Sequence, residues 1–278
     1  MTRNRIMLIA VIASSVSLAF FFIFAMGQAN DVRYDETPKA AIIDQLYDDY
    51  QNLDFQQTAK QYLQGAGYKV DIFTTKNITV NFYKNLPSMG YKFIVIRSHA
   101  SVTPNNNQKP DSANLFTGEK YQTDKYTVEQ LLGQVQKSSY LFLDYAVNYH
   151  NGTVSFNRTN SESGAYFSVG SKFVDEQMNG KFPDSILVIG GCTSLSNPIL
   201  ADSLTKRGAS TIIGWDKLVG ADHNDKVMLA VLKGLLVDKS NVDDVVQSAM
   251  KKFGPDPEFS AILKYYPASA GSIHAWTD

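Results

Sequence analysis

Two short stretches restrict the fold of this 278-residue chain more than anything else in it: residues 92–97, KFIVIR, and residues 184–190, DSILVIG. Each holds four apolar side chains in a row, Phe93 to Ile96 and Ile186 to Ile189. A strand with one wet face alternates apolar and polar residues. A strand apolar on both sides must be covered on both, which is the situation inside a parallel sheet flanked by helices.

The segments between these runs alternate accordingly. Residues 39–46 and 68–74 read as strands, and 54–65 as a helix with Asp54 at its cap and Gly65 near its end. A second helix is expected over 79–89, and 101–125 reads as loop, with NNNQKPDS at its centre. Residues 126–136 suggest a helix from Thr127, 140–143 and 153–157 are short strands or loop, and 170–180 is helical. Beyond the second apolar run, 197–207 predicts a helix with Asn197 as cap, Pro198 in the first turn and Gly208 as its stop. Then come a strand over 209–215, helices over 222–237 and 241–253, and a Pro- and Gly-containing tail over 254–278. Strand–helix alternation of this kind builds an α/β domain with a mostly parallel sheet and helices on both faces.

The N-terminus bears on compartment. Arg3 and Arg5 precede residues 6–26, a run without a charge, and Asp31, Asp35 and Glu36 follow it. That length spans ~30 Å of hydrocarbon as a helix, and the charge order keeps the N-terminus in the cytoplasm. The expected organisation is a signal anchor over 1–26, a linker over 27–38 and an extracytoplasmic domain over 39–278. A cleaved signal peptide is the alternative, with Ala25, Gly27 and Ala29 as small residues for the cut. The triplets at Asn77, Asn151 and Asn157 suit glycosylation on such a surface. With 26 basic against 27 acidic residues, nothing calls for a nucleic-acid partner. One cysteine excludes an internal disulfide framework. No metal or cofactor is expected, because no metal-binding spacing joins the four histidines.

In parallel α/β sheets the reactive groups gather at the carboxyl ends of the strands. His99 and Cys192 are both placed there by the pattern. Gly190 and Gly191 allow a sharp turn before the cysteine, and the helix after Asn197 is expected to aim its positive end at the thiol. A base beside a thiol makes a nucleophile, and the main-chain N–H groups of Ala100 and Cys192 are the natural oxyanion donors. Taken singly, a cysteine at a strand end reads as a buried inert side chain.

These two blocks, KFIVIRSHAS (92–101) and DSILVIGGCTSL (184–195), resemble the strand–histidine and strand–cysteine segments of the caspase-fold cysteine peptidases, the group of caspases, gingipains, clostripain-like enzymes and CHAT domains. The stretch 197–225, with RGASTIIGW inside it, is similar to the helix and strand that follow the cysteine in that family. The resemblance implies a caspase-like three-layer α/β/α sandwich. It also implies a peptide-cleaving dyad of His99 and Cys192, with Ala100 and Cys192 as oxyanion hole and a peptide or protein as substrate. Family members commonly carry glycine where Ala100 stands, and a different pair before the cysteine than Gly190–Gly191. Asp216, Asp222 and Trp215 follow the next strand; a carboxylate there favours Lys or Arg at the cleavage position. As a solvated loop acid, a helix cap and a core aromatic they carry no such role. NNNQKPDS and 144–166 are candidate loops for a maturation cut.

Overall fold

The structure is a computed structural model and describes residues 37–104, 110–139, 141–150, 153–162 and 164–275. The apolar run 6–26, with the membrane expectation attached to it, lies outside the described residues; among those described, no helix is long and apolar enough to cross a membrane.

In chain order the elements are β1 (Lys39–Asp44), α1 (Leu53–Gly65), β2 (Lys69–Thr74), α2 (Val80–Asn85), β3 (Tyr91–Arg97), β4 (Ala100–Pro104), β5 (Pro110–Lys120), α3 (Thr127–Leu131) and β6 (Val135–Ser138). They continue with β7 (Leu141–His150), β8 (Thr153–Glu162), β9 (Tyr166–Val169), α4 (Ser171–Glu176), β10 (Ser185–Gly190), α5 (Ile199–Lys206), β11 (Ala209–Trp215), α6 (Ala221–Leu236), α7 (Val242–Phe253) and β12 (Leu263–Tyr266). Six strands form the main sheet in the order β12-β11-β10-β3-β1-β2. All its pairs are parallel except β11 with β12. The two apolar runs, β3 and β10, are neighbours at its centre.

Alternation along these strands feeds two cores. Ala41, Ile43, Ile94, Ile96, Leu187 and Ile189 pack with α2, α4 and α5. Ala40, Ile42, Phe93, Val95, Ile186 and Val188 pack with α1, α6 and α7. Both faces are therefore dry, as the unbroken apolar runs require. Burying a side chain of this size contributes about 1.5–3 kcal/mol, so the central strands anchor everything at their ends.

Several elements differ from the sequence expectation, each for a local reason. The cap of α1 is Asn52, whose side chain accepts from the Phe55 N–H; Asp54 sits inside the first turn, where it complements the dipole. The helix expected over 79–89 stops at Asn85 and tightens into a 3₁₀ turn containing Pro87. The helix expected over 126–136 is only Thr127–Leu131: Gly133, at φ +67°, turns the chain, and Val135–Ser138 joins a sheet. The supposed loop 101–125 contains β4 and β5, an antiparallel pair that belongs to a second sheet of order β4-β5-β9-β6. That sheet lays Ala113, Leu115, Val135, Phe167 and Val169 on the first core. Most of 144–166 is the paired ribbon β7–β8, in register from Leu141–Glu162 to His150–Thr153. The tail supplies β12, which closes the β11 edge.

Candidate active site

His99 and Cys192 each lie two residues beyond the end of one of two neighbouring strands. β3 and β10 are in register at Arg97–Gly190, and the Ser98 N–H continues the ladder by donating to the Gly190 carbonyl at 3.2 Å. Two residues beyond Arg97 is His99; two beyond Gly190 is Cys192. The loops also touch: a Cβ added to Gly191 would stand 3.0 Å from the Ser98 carbonyl oxygen and 3.1 Å from the Ala100 Cβ. Gly190 is needed for a different close approach. A Cβ there would lie 2.0 Å from Met228 Sδ and 2.7 Å from Asn224 Oδ1, both on α6.

The cysteine turn is held by β11. Thr193 N–H donates to the Lys217 carbonyl at 2.8 Å, Leu195 N–H to the Trp215 carbonyl at 2.7 Å, and Trp215 N–H to Ser194 Oγ at 3.0 Å. Thr193 sits at φ +57°, a left-handed conformation a β-branched residue rarely adopts. The turn thus re-aims the chain sharply right after Cys192. The thiol is half-buried, packs against the second core and donates to the Val219 carbonyl at 3.7 Å. Burial pushes the thiol above its ordinary pKa, and the nearby Asp256 carboxylate adds to this against the lowering effect of its backbone hydrogen bonds. The helix expected to assist it, α5, packs on the other core, with Leu200, Ala201 and Leu204 inward. The sulfur lies against the opposite face, at the residues leading into α6.

His99 is tied down by its backbone. Its N–H donates to Gln45 Oε1 at 2.9 Å, and its carbonyl accepts from the Phe116 N–H at 3.1 Å and from Ser98 Oγ at 2.7 Å. The ring meets Tyr50 and Phe116 edge-on, with centroids 6.1 and 5.8 Å away. Burial, helped by the Arg97 charge, lowers its pKa to about 4. The imidazole is uncharged near neutral pH.

Beneath the histidine lies a charged cluster that pattern reading missed. Arg97, 1% exposed, donates to Asp44 at 2.9 Å, to both carboxylate oxygens of Asp225 at 2.8 and 2.9 Å, and to the Tyr50 carbonyl at 2.7 Å. Gln56 and Asn52 complete the carboxylates, donating to Asp44 at 2.6 Å and Asp225 at 2.8 Å. Burial raises the Asp44 pKa despite Arg97, whereas for Arg97 burial is outweighed by the two acids, which hold its pKa up. The only sequence signal was an arginine ending an apolar strand.

Among the described residues neither expected oxyanion donor bonds a backbone carbonyl. Ala100 pairs with Leu115, and the Phe116 N–H to His99 carbonyl bond makes this a non-hydrogen-bonded pair, so the Ala100 N–H points away from β5. The Cys192 N–H makes no hydrogen bond to a backbone carbonyl among the described residues.

The three specificity candidates separate. Trp215 is 0% exposed and its indole N–H donates to Asn224 Oδ1 at 2.9 Å, so it is core and offers a substrate no surface. Asp216 accepts from the Ile262 N–H at 2.7 Å and pairs with Lys264 at 3.1 Å, fastening β12. Asp222 is exposed in the first turn of α6 and has no ion pair among the described residues. His223 meets Trp215 at a tilt with centroids 5.7 Å apart, His274 Nδ1 donates to the Lys239 carbonyl at 3.1 Å, and no metal-holding group of three His, Cys, Asp or Glu exists among the described residues. Two surface cavities, of about 410 and 330 Å³, are lined by neither His99 nor Cys192. No protein-family model matches the chain, and no curated protein matches it.

Proposed function

We propose that this chain is a cysteine endopeptidase of caspase-like fold, anchored in the cell membrane through residues 6–26 with its α/β domain outside. The observation that carries the reading is the register of β3 and β10, which pair at Arg97–Gly190, two residues before His99 and Cys192. The Ala100 N–H, turned away from β5, supports it. In the resting enzyme both partners are neutral: the thiol by burial, the imidazole by its lowered pKa. The thiol proton moves to His99 as the sulfur attacks the scissile carbonyl, and the same imidazole then protonates the leaving amine. Water attacks the acyl-enzyme and restores the thiol. The Ala100 and Cys192 N–H groups hold the oxyanion at each tetrahedral stage. Asp222 is the remaining exposed acid to meet a basic side chain at the cleavage position.

Cys192→Ala is expected to abolish peptide cleavage and labelling by an electrophilic peptide probe; undiminished cleavage by that variant overturns the assignment. One observation favours a second reading, a peptide-binding module without turnover: the thiol bonds the Val219 carbonyl and is raised by burial. That reading requires Cys192 to alkylate no faster than free cysteine at neutral pH.

A further inference from the structure

The peptide unit between Val219 and Gly220 carries two bonds that point opposite ways. Its carbonyl accepts from Cys192 Sγ at 3.7 Å, and its N–H, that of Gly220, donates to Asp256 Oδ2 at 2.9 Å. A trans peptide is planar, with C=O and N–H on opposite edges, so whatever fixes the N–H also fixes where the carbonyl aims. Asp256 is 2% exposed and reaches this peptide from the segment after α7. Its Oδ1 accepts from the Glu258 and Phe259 N–H groups at 3.0 and 2.7 Å. Its own N–H and carbonyl close the loop on Ala261 and Ser260 at 2.9 and 2.8 Å. The carboxylate is thus held by main-chain N–H groups and not by a cation. A carboxylate on one edge of a peptide polarises it and makes the carbonyl on the other edge a stronger acceptor. The Asp256 charge also acts on the thiol in the same direction as burial does. The other charged or titratable groups around the cysteine turn are engaged elsewhere. Lys217 Nζ donates to the Ser260 carbonyl at 3.3 Å, Asp216 pairs with Lys264, His223 lies against Trp215, and Asp222 is exposed.

We infer that Asp256 is a positioning residue for Cys192, acting through the Val219–Gly220 peptide: by gripping the Gly220 N–H it holds the Val219 carbonyl on the thiol, and the resting sulfur keeps its proton. This deepens the peptidase reading and rests on it for its meaning in catalysis, though not for the contact. It adds one requirement to that reading: the S–H bond has to turn from the Val219 carbonyl to His99 before the proton can move. A sulfur held as the thiol reacts slowly with alkylating agents and oxidants, which attack the thiolate.

The test measures iodoacetamide alkylation of Cys192 against pH in the full-length chain, comparing the unaltered protein with Asp256→Asn. Asparagine keeps the shape and an oxygen for the Glu258 and Phe259 N–H groups, but it removes the charge and sets an NH₂ group against the Gly220 N–H. The expected result is alkylation about threefold faster or more at about pH 7.5, a profile midpoint moved to lower pH, and an alkaline plateau within about twofold. A merely structural loosening raises the plateau and leaves the midpoint in place; that result overturns the inference, as does an unchanged profile. A second measurement leaves Asp256 unaltered and so holds where Asp256→Asn fails to fold. The amide resonance of Gly220 is followed through the same pH range in the unaltered chain and in Cys192→Ala. A titration of that amide at the alkylation midpoint, absent from Cys192→Ala, supports the coupling; the same behaviour in both chains overturns it. Neither measurement needs turnover. A chain that hydrolyses no casein therefore defeats the peptidase reading and leaves Asp256 to be decided by alkylation and by the Gly220 amide.

Discussion

The ends of β3 and β10 stand side by side and are held by opposite physics. The β3 end is fixed by charge: Arg97 binds Asp44 of β1 and Asp225 of α6, and Gln45, next along from Asp44, grips the His99 N–H. The β10 end is fixed by crowding: two glycines admit α6 on one side and the Ala100 loop on the other, and Thr193 takes a strained turn. An ionic clamp tolerates changes in volume but not the loss of a partner, whereas a steric clamp tolerates loss but not added bulk. The candidate base and the candidate nucleophile thus answer to different kinds of substitution.

The largest effect that follows is on the charged end. Arg97→Met leaves two carboxylates buried without their cation and is expected to cost about 3–5 kcal/mol of unfolding free energy, read by chemical denaturation. A cost below about 1 kcal/mol would mean that the cluster does not hold the β3 end. The next effect is one of pH. His99 has a folded pKa of about 4 against 6.5 in the unfolded chain, so between these values the unfolded state binds more protons. Its contribution is complete above pH 6.5 and is lost as pH falls towards 4, by roughly 2–3 kcal/mol. Subtracting the pH–stability curve of His99→Phe from that of the unaltered chain isolates this slope, and parallel curves would place the imidazole in water. The smallest effect tests crowding. Gly190→Ala should cost about 1–3 kcal/mol, because its methyl meets Met228 and Asn224 of α6. Pairing it with Met228→Ala should recover part of that loss, and a purely additive double variant would remove the steric account of the β10 end.

How much of this was legible in the sequence varies by element. The two apolar runs, the strand over 209–215 and the long helices α6 and α7 follow from side-chain periodicity, because burial acts directly on those residues. β4, β5 and β6 were read as loop or helix. Their residues are polar on the face turned from the core (Ser112, Asn114, Gln136), so the short strands carry a weak alternation that only pairing makes regular. In the site, His99 and Cys192 were found from their positions after apolar strands. Of the two readings open for Trp215 and Asp216, the structure has Trp215 as a core aromatic and Asp216 bound to Ile262 and Lys264, because a strand end looks alike in sequence whatever packs over it. Arg97, Asp44 and Asp225 left no pattern at all. They are 53 and 128 residues apart in pairing, and no local rule links them.

The sequence by itself determined that a doubly covered sheet would form and that a histidine and the lone thiol would each end one of its strands, because hydrophobic periodicity is a property of neighbours along the chain. Only the tertiary structure decided that those two strands are adjacent and in register, that the sulfur lies against α6 rather than α5, and that a buried arginine underpins the histidine. Those outcomes depend on which distant segments pack together, and packing is chosen by the fit of whole surfaces.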